Sequence, residues 1–405
     1  MENDVSQAQR VSPQARLERS PKSSVAISTL ESEVGVESFL TAESAPNLDL
    51  AASWKTLESA YHGALRDAGL DLGTEVFMRL HVSDALNQIP LLRDRIPQRC
   101  DRGLITLVGQ SPLQSNKIAL EAYHVKCRGT CRRRLLAEGQ LEVEHGQYRT
   151  VWGSFHSRAT GSAALQTAEL LRQLERVAAS QGGSLYDNLL RTWFFVRDID
   201  TNYSGLVEAR RELFERCGMT AASHYVSSTG IAGEMQQAHE LVALDALLEF
   251  GLAEGQIRFM TAGSHLCPSH QYGVTFERGT RLTYGDRSHF HISGTASIDR
   301  AGHILHPGDL DRQVERTLEN IEVLLANEGA HLSDLKQAVV YLRDPSDGAR
   351  VRTLLASLLP QSVPLIIVEG RVCRPGWLVE IEGIAGTTSG DARFADYFQG
   401  SSEGQ

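Results

Sequence analysis

Two acidic side chains near the end of the chain, Glu380 and Glu382, are spaced so that they can act on one chemical group. They stand at positions i and i+2 of an apolar run, 378–385, whose pattern is that of a β-strand. Both side chains therefore point to the same face of the sheet. Apolar neighbours remove water from a carboxyl group, and this raises its pKa towards neutrality. The pattern predicts a residue that gives or takes a proton near pH 7.

The chain contains two earlier strands of the same kind, and they separate the roles of the two acids. The first acidic position is occupied by Ala119 and Ala243 in those strands, whereas the second is acidic in all three, as Glu121, Asp245 and Glu382. We interpret the second position as structural and Glu380 as the catalytic residue, so that one site survives per chain. The alternative is that Glu380 is a solvated strand residue, since acids on an exposed sheet face are common.

A repeated layout predicts the elements that must position Glu380. Three segments share an amphipathic helix, a glycine and then a strand that ends in aspartate. Gly69 and Asp84 are fifteen residues apart, as are Gly329 and Asp344, and the middle copy needs one residue more. Each copy continues with a second helix and a final β run, and a pair of strands precedes it. This layout predicts an α+β fold of three units, each a mixed sheet with helices on one face. Three unrelated α/β stretches are the alternative.

The same spacing predicts the division of the chain. Residues 1–22 are rich in Ser, Gln, Arg, Pro and Glu and are expected to form a disordered tail. The three units are expected over 23–126, 127–255 and 256–388. The Gly- and Ser-rich stretch 389–405 is expected to be a flexible tail.

The third copy resembles the Rid/YjgF family of imine and enamine deaminases. The resemblance rests on the run from His291 to Asp299, on Gln313 and Asn320, and on the run from Leu378 to Ala385. It implies small trimeric proteins of chorismate-mutase-like fold with active sites at subunit interfaces. Three fused copies would then form an intramolecular pseudo-trimer. It also implies that Glu380 corresponds to the glutamate that assists the water or protonation step.

The chain also resembles the chorismatases, which are built on the same fold. The residues that carry this second resemblance are Arg191 to Val196, Ser228 to Ile231, Tyr272, Phe276, Arg278, Ser293, Thr295 and Glu380. The resemblance implies hydrolysis of the enolpyruvyl ether of chorismate.

One departure from the deaminase pattern concerns the residue that holds the substrate. Rid deaminases typically carry an arginine shortly after a proline, where it binds a carboxylate with two hydrogen bonds. Here Pro364 is followed by Leu365, and Arg102 in the first unit has a comparable place. Arg278, with Tyr272 nearby in the sequence, is our candidate for the missing cation. The alternative is that Arg278 is a surface residue.

Two strand ends are further candidates for substrate binding. Ser293, Gly294 and Thr295 combine hydroxyl groups with unobstructed backbone N–H groups, which can bind a carboxylate or polarise a carbonyl. Ser228 and Thr229 occupy a similar position in the second unit and are candidate contributors from across an interface. Both strand ends could instead be bends in which the hydroxyl groups bond to their own backbone.

Composition excludes several classes of function. The 405 residues carry a net charge of −10, which argues against binding of a nucleic acid backbone. The apolar runs are too short to cross a bilayer, and the start of the chain has no secretory pattern. The six cysteines are too sparse for a disulfide scaffold, so free thiols and a cytoplasmic location are expected.

No cofactor or metal is predicted. The sequence has no Gly-rich dinucleotide or phosphate loop and no nucleophile elbow. His124, Cys127 and Cys131 approach the spacing of zinc ligands, but no fourth ligand is in place.

The sequence therefore predicts a small-molecule hydrolase or deaminase acting on an imine, enamine or enol-type carboxylated substrate. Chorismatase-like hydrolysis is one alternative, and a non-catalytic binding or scaffold protein is another. The expected partner is a small, anionic substrate, with no nucleic acid and no membrane. The chain would be a monomeric pseudo-trimer or a homo-oligomer of it.

Overall fold

The computed structural model describes residues 22–96, 103–128 and 131–398. It contains three mixed β-sheets that follow one another along the chain, each with its own helices. The predicted α+β fold of three units is confirmed. The predicted tail over 1–22 lies outside the described residues except for Lys22. No described helix is both long and apolar enough to cross a membrane.

The first unit is a five-stranded sheet in the order β1-β2-β5-β3-β4, in which β3 and β4 are parallel and the other neighbours antiparallel. Its elements are β1 (Ser24–Ser32), β2 (Gly35–Glu43), α1 (Leu50–Asp67), β3 (Glu75–Val82), α2 (Ala85–Arg95), β4 (Leu104–Gly109) and β5 (Ile118–Cys127).

The second unit is a six-stranded sheet in the order β10-β9-β11-β8-β7-β6. Its elements are β6 (Arg132–Ala137), β7 (Gln140–His145), β8 (Tyr148–His156), α3 (Ala163–Ser180), α4 (Leu185–Asn188), β9 (Leu189–Val196), α5 (Ile199–Arg216), β10 (Ser227–Ala232) and β11 (Val242–Phe250). The β6–β7 hairpin was not predicted, because β6 begins with three consecutive arginines and lacks the apolar alternation of the other strands.

The third unit is a six-stranded sheet in the order β12-β13-β14-β17-β15-β16. Its elements are β12 (Ile257–Met260), β13 (Gly279–Thr283), β14 (Ser288–Thr295), α6 (Leu310–Ala326), β15 (Leu335–Leu342), α7 (Gly348–Leu358), β16 (Leu365–Glu369) and β17 (Val379–Thr387). Helix α6 buries a stripe that includes Val314, Leu318 and Ile321 against the sheet. The 3.6-residue spacing of that stripe is what predicted the helix.

Side chains from all three units meet in a shared core. One cluster of buried side chains contains Phe77 of the first unit, Trp152 and Leu190 of the second, and Leu282 and Tyr284 of the third. Phe77 stacks on Trp152 at 4.6 Å between ring centroids. Removing one unit would therefore expose apolar surface of the other two to water.

Short backbone pairings also join the three sheets in a closed sequence. Gly109, at the end of β4, exchanges two hydrogen bonds with Glu234 of the second unit. Ile231 on β10 pairs with Val372 of the third unit, and Val368 on β16 pairs with Pro112 of the first. Each unit thus contacts both of the others through, or just beyond, one edge strand of its sheet.

A buried ion cluster links the first and third units. Glu37 on β2 accepts hydrogen bonds from Arg287 Nη1 at 2.7 Å and from His289 Nε2 at 3.0 Å, and Tyr123 donates a third. Burial raises the pKa of Glu37, but His289, Arg287 and the Tyr123 hydroxyl together outweigh it and lower the pKa to about 2. The carboxylate is therefore the form that stabilises this junction.

The C-terminal segment differs from its prediction. A flexible tail was expected over 389–405, but residues 389–398 are described, and Tyr397 and Phe398 are buried. The Tyr397 backbone N–H donates to Asp286 at 2.9 Å, and the Tyr397 hydroxyl group is 3.0 Å from that of Tyr123. The expectation was wrong for this stretch because its Gly/Ser-rich composition conceals two aromatic side chains. Burying each of them stabilises the fold by about 2 kcal/mol.

The Glu37 cluster predicts an acid-sensitive junction. The folded pKa lies below the reference value of 4.5, so the contribution is complete above pH 4.5 and is lost as the pH falls towards 2. We expect Glu37→Gln to lower the free energy of unfolding by about 3 kcal/mol near neutral pH, and by less than half of that near pH ~3. Chemical denaturation at both pH values measures this. Glu33→Gln, an exposed neighbour, is the control, and equal losses at the two pH values would contradict the assignment.

Candidate active site

Glu380 is the second residue of β17, which hydrogen-bonds to β14 on one side and to β15 on the other. This central place in the sheet holds its backbone in position. Its side chain is 6% exposed. The alternative of a solvated strand residue is therefore wrong, because Glu380 is buried where helix α5 of the second unit faces it across a cavity.

The Glu380 carboxyl group lines a cavity of about 440 Å³ between the second and third units. Tyr272, Arg278 and Gly294 of the third unit and Ser228 of the second also line it. The structure thus brings these five residues together, although they span more than 150 positions of the chain. It also answers a question that the sequence left open, since this cavity lies at the interface of the second and third units.

Two predicted binding residues do not line the cavity. Ser293 donates its hydroxyl to the Glu277 carbonyl at 2.6 Å and accepts the Ser228 N–H at 2.9 Å. Thr295 donates its hydroxyl to the Ser293 carbonyl at 2.9 Å. For these two residues the structural alternative is the better interpretation. Their hydroxyl groups bond to backbone carbonyl and N–H groups and fix the end of the strand.

The two remaining candidate contributors from other units, Thr229 and Arg102, have different outcomes. Thr229 lies beside the cavity, where its Oγ1 accepts the Gly294 N–H at 3.0 Å and Arg191 Nη2 at 2.6 Å. It therefore supports the site without lining it. Arg102 lies outside the described residues.

Arg278 is buried, so the alternative of a surface cation is wrong. Its Nε and Nη2 donate to the Cys267 carbonyl at 3.1 Å and 2.8 Å. Its guanidinium group lies 5.3 Å from the ring centroids of both Tyr272 and Phe276. These contacts hold the cation in the cavity wall.

Sequence reasoning missed Arg210, which is buried in the same cavity wall. Its Nε and Nη1 contact the hydroxyl groups of Thr275 and Ser228 at 3.2 Å, while its Nη2 has no hydrogen-bond partner among the described residues. A buried guanidinium group with a free donor is costly unless an anion completes it. The sequence held a signal, because Arg210 stands in the apolar stripe of α5, four residues after Leu206 and three before Leu213.

The cavity wall is rich in cations. Arg211 and Arg374 line it in addition to Arg210 and Arg278, whereas the acidic residues that line it are Glu208 and Glu380. The remaining polar and aromatic lining includes Tyr203, Cys373 and Trp377. Burial raises the pKa of the Cys373 thiol to about 12, so this side chain is a neutral thiol near pH ~7.

The Glu380 carboxyl group is itself shifted towards its neutral form. Burial and the neighbouring Glu382 raise its pKa, whereas Arg191 and Arg278 lower it, and the result is about 8. The protonated acid is then the major form near pH ~7. The site therefore offers a proton donor beside several fixed cations.

The second acidic position behaves as the comparison of the three strands predicted. Glu121 and Asp245 both bind Arg79, and Glu382 binds Arg191. All five side chains belong to buried residues. A buried carboxylate is retained when it is paired in this way, which is consistent with a structural role in all three units.

The interface between the first and third units lacks the combination of a buried acid and an unneutralised arginine that Glu380 and Arg210 provide. Ala119 takes the place of Glu380, and Glu43 lies opposite Ala119 on the neighbouring strand. Arg352 on α7 reaches in from the third unit, but Glu43 neutralises it at 2.8 Å. The Arg210 guanidinium group contacts hydroxyl groups instead of a carboxylate. The cation that is not neutralised therefore lies at the interface of the second and third units, together with Glu380.

Two observations bear on cysteines and metals. Cys127 and Cys131 form a disulfide, so the expectation of free thiols was wrong for this pair, which is close enough in the chain to bridge a short loop. His124 contacts the hydroxyl groups of Tyr61 and Thr74 through its two ring nitrogens. Within 22–96, 103–128 and 131–398, no group of three or more His, Cys, Asp and Glu side chains is arranged to hold a metal ion.

Comparison with known proteins identifies the family. The model of the family described as endoribonuclease L-PSP matches residues 284–387. A RutC family protein of Pyrococcus horikoshii is 35% identical over 96 residues, which cover 23% of this chain and 75% of that protein. The chain belongs to the Rid/YjgF superfamily. Residues 284–387 lie in the third unit and include Glu380, as the resemblance of that unit implied.

Longer matches link this superfamily member to two enzymes of Streptomyces hygroscopicus. A 3-hydroxybenzoate synthase is 27% identical, with 56% of this chain and 69% of that protein covered. A chorismatase is also 27% identical, with 58% of this chain and 71% of that protein covered. The chain is accordingly a hydrolase-like enzyme, and the scaffold alternative loses its support.

A solved structure shows the same fold over a larger part of the chain. The crystal structure of a chorismatase superposes with a TM-score of 0.61 at 21% identity, covering 77% of this chain and 93% of the other. At this identity the comparison speaks for the fold alone.

Gly294 provides a test of the site geometry. A Cβ atom at this position would lie 2.2 Å from Glu380 Oε1 and 2.8 Å from Glu380 Cδ. We expect Gly294→Ala to displace the carboxyl group and to lower kcat by about 100-fold, since a misplacement of about 1 Å can cost that much. The control is Gly263→Ala, because nothing lies within 4 Å of a Cβ there. Full activity of a folded Gly294→Ala protein would contradict the placement of Glu380.

Proposed function

We propose that this protein hydrolyses the enolpyruvyl ether of chorismate. The observation that carries the proposal is a buried Glu380 carboxyl group in a cavity wall that also holds Arg210, Arg278 and Arg374. The chorismatase relative, matched over most of its length, supports the same reaction class. The sequence left imine, enamine and enol-type substrates open, and the excess of cations now favours a substrate with more than one carboxylate.

Charge complementarity is the first argument for this substrate. Chorismate carries one carboxylate on its ring and a second on its enolpyruvyl group. Arg210 has a buried, unpartnered Nη2, and Arg278 is fixed by the Cys267 carbonyl, which is a neutral partner. An incoming carboxylate would compensate each of these charges with short, charge-assisted hydrogen bonds. The cavity, at about 440 Å³, has the size of a small-molecule site.

The protonation state of Glu380 supplies the chemistry. As a neutral acid it donates its proton to the methylene carbon of the enolpyruvyl group, and the electrons of the double bond form the new C–H bond. Positive charge develops at the ether carbon and is shared with the ether oxygen. The resulting Glu380 carboxylate stabilises that charge and accepts a proton from the water that adds to the carbon. The hemiketal then collapses: its hydroxyl group loses a proton, the bond between the ketal carbon and the ether oxygen breaks, and the ether oxygen takes up a proton. The products are pyruvate and the ring alcohol, with one water consumed.

Deamination of an imine or enamine is the second candidate, because the chain belongs to the Rid/YjgF superfamily. The same Glu380 would deliver water to the C=N carbon and a proton to the leaving nitrogen. A substrate of this kind with a single carboxylate would leave part of the cationic wall unused. Release of pyruvate from chorismate, which contains no nitrogen, would indicate the first reaction, whereas release of ammonia from an imine would indicate the second.

Two ring products are compatible with this reaction. The 3-hydroxybenzoate synthase relative supports an aromatic outcome, in which the ring alcohol of the hydrolysis loses a further water. Both outcomes release pyruvate from chorismate, so the analysis of the ring product distinguishes them.

We also propose that the three units form an intramolecular pseudo-trimer, as the Rid resemblance implied. The closed sequence of edge pairings, Gly109 with Glu234, Ile231 with Val372 and Val368 with Pro112, supports this arrangement. The core shared by all three units supports it further. In such an arrangement, the described residues of the first unit contribute to rigidity and do not line the cavity.

The role of Glu380 predicts both a loss and a pH dependence. We expect Glu380→Gln to lower the rate of pyruvate release from chorismate by about 1000-fold, because the amide cannot donate the proton. The wild-type rate is expected to fall as the pH rises through about 8, where Glu380 loses its proton. A coupled lactate dehydrogenase assay measures pyruvate, and denaturation curves check that the variant is folded. Full turnover of Glu380→Gln would contradict the mechanism.

Arg210 is predicted to hold the substrate. We expect Arg210→Met to raise KM for chorismate by about 10- to 100-fold, since a hydrogen bond between charged groups contributes about 1.5 to 3 kcal/mol. The matched control is Arg352→Met, because Glu43 neutralises that arginine at the other interface. Steady-state kinetics of both variants measure the difference. An unchanged KM for Arg210→Met would remove Arg210 from the substrate-binding role.

A further inference from the structure

Glu382 and Arg191 lie next to the active site but do not line its cavity. Glu382 follows Glu380 by two residues on β17 and so points to the same face of the sheet. Arg191 belongs to β9 of the second unit. The ion pair between them, 2.7 Å long, crosses the interface at which the site is built.

The Glu382 carboxylate is saturated with donors. Its Oε2 accepts from Arg191 Nη2 and from the Thr229 hydroxyl, and its Oε1 accepts from Trp193 Nε1 at 3.1 Å and from the Tyr341 hydroxyl at 2.8 Å. Three of these four donors belong to the second unit. A carboxylate with this many donors holds one orientation.

A chain of contacts leads from this pair to Glu380. Arg191 Nη2 also donates to Thr229 Oγ1 at 2.6 Å, and Thr229 Oγ1 accepts the Gly294 N–H at 3.0 Å. Gly294 is the backbone against which the Glu380 carboxyl group packs, since a Cβ there would overlap it. We propose that Arg191 and Glu382 are a positioning pair, through which the second unit sets the orientation of Glu380 and the electrostatic field around its carboxyl group. The inference deepens the proposed function and rests on it for the role of Glu380 in turnover.

The field around Glu380 comes from several elements. Its charged and titratable neighbours are Glu382 on β17, Arg191 on β9, Tyr341 on β15, Tyr203, Glu208, Arg210 and Arg211 on α5, Tyr272 and Arg278 ahead of β13, and Cys373 and Arg374 between β16 and β17. Glu382 is the neighbouring carboxylate that raises the pKa of Glu380, whereas Arg191 and Arg278 lower it. Removing the charge of Glu382 alone therefore favours ionisation of Glu380.

The chain contains a matched control for this pair. Glu121 occupies the same strand position in the first unit, and it forms a buried ion pair with Arg79. The neighbouring position there is Ala119 and not a catalytic acid. Glu121→Gln therefore removes a comparable buried charge that is not among the groups shifting the pKa of Glu380, and it reports the cost of such a change to the fold.

The first experiment does not require turnover. Infrared difference spectra between a protein and its Glu380→Gln counterpart isolate the carboxyl band of Glu380, and a pH series gives the midpoint of its ionisation. We expect a midpoint near pH 8 in the wild type. We expect Glu382→Gln to lower that midpoint by about one pH unit or more, and Glu121→Gln to leave it unchanged. An unchanged midpoint in folded Glu382→Gln protein, or an equal shift in Glu121→Gln, would overturn the electrostatic part of the proposal.

The second experiment tests positioning during turnover of chorismate. Arg191→Lys keeps the charge, but its ammonium group lies one bond closer to the backbone than Arg191 Nη2, which donates to both Thr229 and Glu382. We expect kcat to fall by about 10-fold or more with KM unchanged, since Arg191 does not line the cavity. A rise in KM alone, or unchanged kinetics, would contradict a positioning role. If the wild type fails to act on chorismate, the proposed function fails, while the infrared midpoints still decide the proposal about Arg191 and Glu382.

Discussion

The buried ion pair between Arg191 and Glu382 is the interaction on which the site most depends. Charges are costly to remove from water unless they are paired and hydrogen-bonded, so this pair is stable only when the second and third units are in contact. The same contact removes water from Glu380, two residues away. Contact between the two units therefore has two effects. It stabilises the ion pair, and it raises the pKa of Glu380 by burying the carboxyl group.

The repeat explains why a chain of three similar units holds one site of this kind among the described residues. Each unit keeps the second acid of its final strand in a buried ion pair, as Glu121, Asp245 and Glu382 do. The first acid survives as Glu380 alone. The free cation of Arg210 faces that same residue, whereas Arg352 is neutralised by Glu43 elsewhere. Buried ion pairs thus recur at the second position of all three final strands, whereas the acid at the first position stands in one of them.

Much of the fold and part of the site could be predicted from the sequence. The matched glycine–aspartate spacings predicted three α+β units, and the comparison of final strands singled out Glu380. Tyr272, Arg278, Gly294 and Ser228 were predicted and do meet in the cavity. Ser293 and Thr295 were expected there but bond to backbone instead. Residue type cannot distinguish these outcomes, because neighbouring positions of a strand point to opposite faces and a bulge between Ile292 and Thr295 alters the alternation.

The sequence by itself determined the repeat, the strand that carries the acid and the difference between the two acidic positions, because these follow from local spacing. Only the tertiary structure decided which interface holds the cavity, that Arg210 completes it, and that Tyr397 and Phe398 pack into the core. The physical reason is that burial depends on which surfaces meet. The pKa of Glu380 and the unpaired state of Arg210 arise from the closure of one unit against another, which no local pattern specifies.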